Sequence, residues 1–221
     1  MSGLVVVVPI RSFRGGKSRL STILGESGRE ALVRAMFHNV LKSVKTSGVC
    51  DEVLIVSPDP EVLDRAAQFG GISSIVQPPT NPGLNASADL GRAWALEHGY
   101  DRMLVLFGDL PLIEADDIEA IALEALPIVI ATDRHGNGTN GLLLDLRVPE
   151  THEFRFAYGA ESARLHFDEA TRHRLPAISR QFGGVAFDLD TVEDVDELRA
   201  MQKQLPEWLA TLTELPEEIG A

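Results

Sequence analysis

The chain has 221 residues, 44% of them hydrophobic, and a formal net charge of −13 at pH 7; that length fits one α/β domain, or at most two small ones, with a full core. No lysine-rich run or basic helix offsets the acidic balance, which excludes wrapping around nucleic acid, because such binding rests on Lys and Arg neutralising phosphates; a small anionic substrate stays compatible, since a few local cations and backbone N–H groups hold it. The single cysteine, Cys50, excludes an internal disulfide, and no Cys/His cluster has zinc spacing.

Leu4–Pro9 reads as the first strand, apolar throughout and therefore buried on both faces. The apolar run Leu4–Ile10 is far too short to span a bilayer and lacks the flanks of a secretory leader, so a cytoplasmic protein is expected. Gly28–Lys45 has helical spacing, with Leu32, Met36, Phe37, Val40, Leu41 and Val44 on one side. Glu52–Ser57 is a second strand, Pro60–Phe69 a second helix and Ile72–Val76 a third strand. A helix over Asn85–His98 leads to a fourth strand, Arg102–Phe107, and a helix over Glu114–Leu126 to a fifth, Ile128–Thr132. This alternation predicts a mostly parallel, Rossmann-like twisted sheet with helices on both faces. After Thr132 the pattern changes. Gly141–Asp145 reads as a strand reached through a glycine-rich loop, Ala160–His173 as a helix, Gly184–Phe187 as another strand and Thr191–Gln204 as a final helix. No linker divides the chain, so a single domain is expected over residues 1–205. The acidic tail, 206–221, carries Trp208, Leu209 and Leu212 at helical spacing; it reads as a short packed or dimer-contacting helix, which leaves a homodimer open.

Five segments carry candidate chemistry. Met103-Leu-Val-Leu-Phe-Gly-Asp109-Leu-Pro111 is an apolar run ending abruptly in Gly108-Asp109. It delivers one carboxylate to the carboxyl edge of a sheet, where open α/β sheets bind ligands. Such an Asp suits Mg²⁺, which takes few protein carboxylates together with phosphate oxygens; it also suits a simple turn cap. After the first strand, Arg11, Arg14, Lys17 and Arg19 surround Gly15-Gly16. Glycines permit close backbone approach, and concentrated positive charge in an acidic chain suggests a triphosphate cradle. The spacing is neither Walker nor Gly-x-Gly-x-x-Gly. Asp133-Arg134-His135-Gly136-Asn137-Gly138-Thr139-Asn140-Gly141 offers many N–H donors for a phosphate or carboxylate, or forms a plain hairpin turn; of the six histidines only His135 falls in such a segment. Gly159 and Ser162 precede a helix whose start could bind an anion or cap itself. Asp188 and Asp190, two apart on a strand, point the same way and could share one or two Mg²⁺ ions with Asp109. Asp188 reads as the metal ligand and Asp190 as the helix cap, with either able to do both.

Lys17-Ser-Arg19-Leu20, Leu84-Asn85-Ala86, Gly108-Asp109-Leu110-Pro111, Gly138-Thr139, Gly159-x-x-Ser162-Ala163-Arg164 and Asp188-Leu-Asp190-Thr191 occur in that order. Together they resemble the 2-phospholactate/phosphoenolpyruvate guanylyltransferases of coenzyme F-420 biosynthesis, a branch of the nucleotidyltransferases related to the molybdenum-cofactor guanylyltransferase. The resemblance runs from Val5 to about Gln204. It implies a nucleotide-diphospho-sugar transferase-like fold, GTP and a small phosphorylated acid as substrates, and Mg²⁺ as cofactor. It implies that Asp109 and Asp188 are metal carboxylates and that Lys17, helped by Arg19, holds the triphosphate; the residues themselves add Asp190 to the metal candidates and Arg11, Gly15 and Gly16 to the triphosphate cradle. Thr139, Gly159 and Ser162 match the positions that hold the three-carbon acid, and Asn85 is a candidate to read the base. Two departures stand out: the extra Arg11 and Arg14 beside the glycine pair, and the glycine-rich loop before Gly141.

The implied reaction is attack of the acid's phosphate on the α-phosphorus of GTP, with pyrophosphate leaving. A phosphate monoester with a second pKa of about 6 is already an oxyanion at neutral pH, so no general base is needed, in keeping with the lack of a convincing His–carboxylate pair. Rivals are a nucleotidyltransferase acting on a sugar phosphate or the molybdenum cofactor, a dinucleotide-dependent oxidoreductase, whose glycine fingerprint is missing, and a non-catalytic nucleotide-binding domain.

Overall fold

The computed structural model describes residues 3–201 together with Trp208 and Leu209. Seven strands form one sheet in the order β3-β2-β1-β4-β6-β5-β7. They are β1 (Leu4–Pro9), β2 (Glu52–Ser57), β3 (Ser73–Val76), β4 (Arg102–Leu106), β5 (Ile128–Thr132), β6 (Thr139–Asp145) and β7 (Ala177–Arg180). All neighbours run parallel except β6, which is antiparallel to both β4 and β5. The chain steps outward from β1 to β3 and then returns to place β4 on the other side of β1. That reversal is a topological switch point, and it opens a crevice at the carboxyl ends of β1 and β4.

Alternating side chains of each strand feed two layers. In β1, Val6 and Val8 face one core, while Val5 and Val7 face the other. All four are 0% exposed, and burial of each contributes about 1.5–3 kcal/mol relative to exposure. The first core is closed by α1 (Glu26–Thr46), α2 (Pro60–Ala67), α4 (Ala115–Ala122) and α6 (Val192–Ala200). The second is closed by α3 (Leu84–Glu97) and α5 (Ser162–Arg172). Gly91 lets α3 lie close on the sheet: a Cβ there would come within 2.6 Å of Val7 Cγ1. The mostly parallel, doubly covered sheet is the architecture the alternation predicts.

The last third differs from expectation in detail. Gly184–Phe187 is not a strand. Gly183–Ala186 is a 3-10 turn, and the final strand is β7, paired parallel with β5. The Gly184 N–H donates to Asp117 Oδ2 at 3.0 Å, and a Cβ on Gly184 would lie 1.9 Å from the Leu112 carbonyl oxygen. The glycine pair therefore folds tightly against the start of α4. Ala177–Arg180 gives no apolar run because it is a half-exposed edge strand. Asp188 and Asp190 lie in an unpaired extended segment, not on a strand. The helix expected over Glu114–Leu126 ends at Ala122. The last helix runs to Ala200, and Gln204 lies outside the described residues. Of the tail, Trp208 and Leu209 are helical, with Leu209 fully buried in the first core; the rest of the expected tail helix and any dimer contact it makes lie outside the described residues. No helix among the described residues is long and apolar enough to cross a membrane.

Candidate active site

The crevice between β1 and β4 opens into a cavity of about 730 Å³. Its walls come from the ends of four strands: Ile10 and Arg11 after β1, Pro58 after β2, Gln77 after β3, and Phe107 to Asp109 after β4. Lys17 and Asp190 also line it.

Lys17 is the centre of charge. Its side chain is 7% exposed, and Nζ donates to Asp109 Oδ2 at 2.5 Å and to Asp190 Oδ1 at 2.6 Å. Burial alone lowers the pKa of the ammonium, but Asp109 and Asp190 outweigh it and leave the pKa raised. Lys17 therefore carries a full charge at neutral pH. Its backbone is left-handed, with φ 53°, which costs a non-glycine residue about 1 kcal/mol or more. Gly15 takes the positive φ expected of it, 70°, and Gly16 does not.

Asp188 lies near this pair. Burial, followed by the charges of Asp190, Asp109 and Asp133, raises its pKa above the ordinary carboxyl value. Arg134 Nη1 donates to the Asp188 carbonyl oxygen at 3.1 Å, and the same guanidinium bonds Asp194 and stacks on Phe187 with 4.4 Å to the ring centroid. It pins the segment that carries both carboxylates. Asp190 is not the helix cap. Thr191 caps α6 in a reciprocal box with Asp194, and the Asp190 N–H donates to Asp194 Oδ2 at 2.7 Å. That leaves the Asp190 side chain free to face Lys17.

The four cations of the first loop separate. Arg11 lines the cavity and makes no ion pair among the described residues. Arg14 turns to Glu61 at 3.3 Å and Glu30 at 3.9 Å. Arg19 is exposed on the 3-10 turn Ser18–Leu20, outside the cavity walls.

Among the described residues no group of three or more His, Cys, Asp or Glu is arranged to hold a metal ion; a lysine ammonium occupies the gap between Asp109 and Asp190 instead. Asp109 and Asp190 are nonetheless hard oxygen donors in the wall of a space sized for a triphosphate, with Asp188 close to them but outside that wall, a donor chemistry that fits Mg²⁺.

Thr139, Gly159 and Ser162 are gathered together, but none lines the cavity. Thr139 is 1% and Ser162 3% exposed. Ser162 Oγ accepts the Thr139 N–H at 2.9 Å, so it neither caps its helix nor stands open. Thr139 Oγ1 lies 3.0 Å from His166 Nδ1, and His166 Nε2 accepts the Ala157 N–H at 2.9 Å. That acceptor role puts the ring proton on Nδ1, donated to Thr139. Burial pulls the His166 pKa down to about 4, so the ring is neutral. This cluster touches the cavity wall through Tyr158, whose ring meets Phe107 at 5.4 Å.

Asn85 does not line the cavity either: its Oδ1 accepts the Tyr158 N–H at 2.7 Å and its Nδ2 donates to the Tyr158 carbonyl. The glycine-rich loop already holds an anion of its own. Asp133 accepts the N–H groups of His135, Asn137 and Gly138 at 2.8–3.0 Å. His173 and Glu169 pair at 3.1 Å on α5, away from the cavity walls. Sequence reasoning gave Arg134 and His166 no role. Arg134 leaves no local signal, whereas Ser162 and His166, four apart on one helix, share a face.

Solved nucleotidyltransferases share this fold, two of them as follows. A CMP:2-keto-3-deoxy-manno-octonic acid synthetase in complex with CTP matches with a TM-score of 0.59 at 16% identity, over 92% of this chain and 99% of that one. The 4-diphosphocytidyl-2C-methyl-D-erythritol synthase of Anaerococcus prevotii matches with a TM-score of 0.61 at 14% identity, over 91% and 96%. The family model described as "Guanylyl transferase CofC like" matches residues 4–212, and the chain belongs to that family. It is 41% identical to a phosphoenolpyruvate guanylyltransferase of Sphaerobacter thermophilus over 197 residues, covering 88% of this chain and 91% of that protein. Against a 3-phospho-D-glycerate guanylyltransferase of Phenylobacterium zucineum it is 32% identical, covering 87% and 88%. The chain is accordingly a nucleotidyltransferase.

Proposed function

We propose that the protein transfers GMP from GTP to the phosphate of a phosphorylated three-carbon acid, releasing pyrophosphate, as a step towards coenzyme F-420. Phosphoenolpyruvate is the leading acceptor, because it is named for the relative at 41% identity; 3-phosphoglycerate and 2-phospholactate are the alternatives. The observation that carries the reading is the Lys17–Asp109–Asp190 centre at the mouth of a nucleotide-sized cavity.

Both reactants are polyanions, so the main task is to neutralise and align them. Lys17 and Arg11 hold the β- and γ-phosphates, and Lys17 stabilises the departing pyrophosphate. Lys17 exchanges one carboxylate for phosphate oxygens as the nucleotide enters. Asp109 and Asp188, with Asp190, would hold Mg²⁺, which when bound would add to the neutralisation of phosphate charge. The acid's own phosphate oxyanion is the nucleophile, and no residue removes a proton from it. The acid enters the cavity beside Phe107, behind which the Thr139–Ser162 cluster supports the wall through Tyr158.

Pyrophosphate release with GTP, Mg²⁺ and each acid in turn, with ATP and CTP as controls, tests this. Release with GTP and one acid supports the reading and names the acceptor. No release with any of the three acids contradicts it.

A further inference from the structure

Gln77 leaves the end of β3 in the cavity wall and is 5% exposed. Its backbone N–H donates to the Ser57 carbonyl at 2.9 Å, extending the β2–β3 ladder. Both side-chain amide protons are engaged as well. Nε2 donates to the Asn81 carbonyl at 2.9 Å and to the Gly83 carbonyl at 2.8 Å. These bonds close the Pro78–Pro82 turn and decide which way the amide faces, since a flipped amide would set Oε1 against two carbonyl oxygens. Oε1 has no hydrogen-bond partner among the described residues. An amide oxygen held in a fixed orientation in a cavity wall, with no protein partner of its own, suits a donor arriving on a ligand.

Strand order decides which part of the ligand arrives there. Along the carboxyl edge the cavity passes from β3 through β2 and β1 to β4. Three inter-strand steps of about 4.8 Å separate Gln77 from the charged end by roughly 14 Å. With the triphosphate drawn to Lys17 and Arg11, the base falls at the opposite end. There Pro58, Pro78, Pro79 and Pro82 offer apolar walls to a flat ring.

We infer that Gln77 is the base-reading residue, its Oε1 accepting hydrogen bonds from the N1–H and 2-amino edge of guanine. Adenine presents an acceptor at N1, so its lone pair would face that of Oε1 and leave both unpaired. This assignment rests on GTP being the nucleotide, as proposed above.

Calorimetric binding without any acid compares GTP with purine riboside triphosphate, which has no donor on that edge. Wild type prefers GTP. Gln77→Met lowers GTP affinity roughly ten- to thirtyfold and changes purine riboside triphosphate by no more than about threefold, so the ratio between them collapses. Gln77→Glu keeps an acceptor oxygen and loses the amide protons; it weakens both nucleotides and retains the preference. An equal loss for both nucleotides in Gln77→Met, or a preference lost in Gln77→Glu, overturns the assignment and leaves Gln77 as a clamp on the turn. A wild type that prefers GTP in this assay yet releases no pyrophosphate with any acid sinks the proposed reaction while leaving the base-reading test intact.

Discussion

Lys17 and His166 are both nearly closed off from solvent, yet they sit in opposite surroundings. Lys17 is charged, left-handed in backbone, and joined to two carboxylates that are 32% and 48% exposed. Ion pairs with such exposed partners add little stability, and they can exchange partners when a polyanion arrives. His166 is 0% exposed and neutral, and both ring nitrogens are satisfied, by Thr139 and by Ala157 N–H. That second cluster fastens β6 to α5 with no net charge. The contrast separates a site that must rearrange to work from a scaffold that must not. Mutations in the first should cost activity and spare the fold; mutations in the second should do the reverse.

The sharpest way to break that division is Asp109→Asn. We expect pyrophosphate release to fall by about 10³-fold or more, from loss of electrostatic stabilisation of the transferring phosphate, with the melting temperature within about 3 °C of wild type. An unfolded variant would mean that Asp109 is a structural cap. Lys17→Ala follows, with turnover lowered about 10²–10³-fold. Lys17→Gly should be equally inactive but more stable than Lys17→Ala by about 1 kcal/mol, because glycine accepts the positive φ freely; equal melting temperatures would remove the argument for strain.

Much of this was legible from residues alone. The apolar run Met103–Leu106 ending at Asp109 points to the carboxyl edge of the sheet, and of the cations around Gly15-Gly16, Arg11 and Lys17 do line the cavity, because strand ends and glycine loops leave local patterns. The partnership of Lys17 with Asp190, 173 positions away, did not show, since it depends on how α6 returns to the sheet. Asp190 looked like a cap because Asp-Thr before a helix is a capping pattern; Thr191 and Asp194 took that role instead. Gly184–Phe187 reads as a strand because Val185, Ala186 and Phe187 are apolar, whereas Gly183–Ala186 forms a 3-10 turn. Gln77 carried no signal at all: its side chain matters only through two carbonyls that a later turn brings back to it.

For the scaffold, His166→Ala removes a donor to Thr139 and an acceptor for Ala157 N–H and leaves a void. We expect a loss of about 2–4 kcal/mol, or roughly 5–15 °C in melting temperature for a chain of this size. A melting temperature unchanged with activity abolished would move His166 into the chemistry. The same residue gives the scaffold a pH dependence. His166 has its pKa lowered from 6.5 to about 4 by burial, so the unfolded chain takes up a proton that the folded chain refuses. Its stabilising contribution is complete above about 6.5 and is lost as pH falls toward 4, by at most about 1.4 kcal/mol per pH unit. Melting curves from pH 7 to 4.5 should show this decline, and His166→Gln should flatten it.

Phosphorus NMR of the wild-type reaction with GTP, Mg²⁺ and phosphoenolpyruvate tests the central claim most directly. We expect GTP to be replaced by pyrophosphate and, in equal amount, by a pair of mutually coupled diphosphate signals joining GMP to the acid. GTP left unconsumed, or cleaved to GMP without the coupled pair, would contradict transfer to the acid's phosphate.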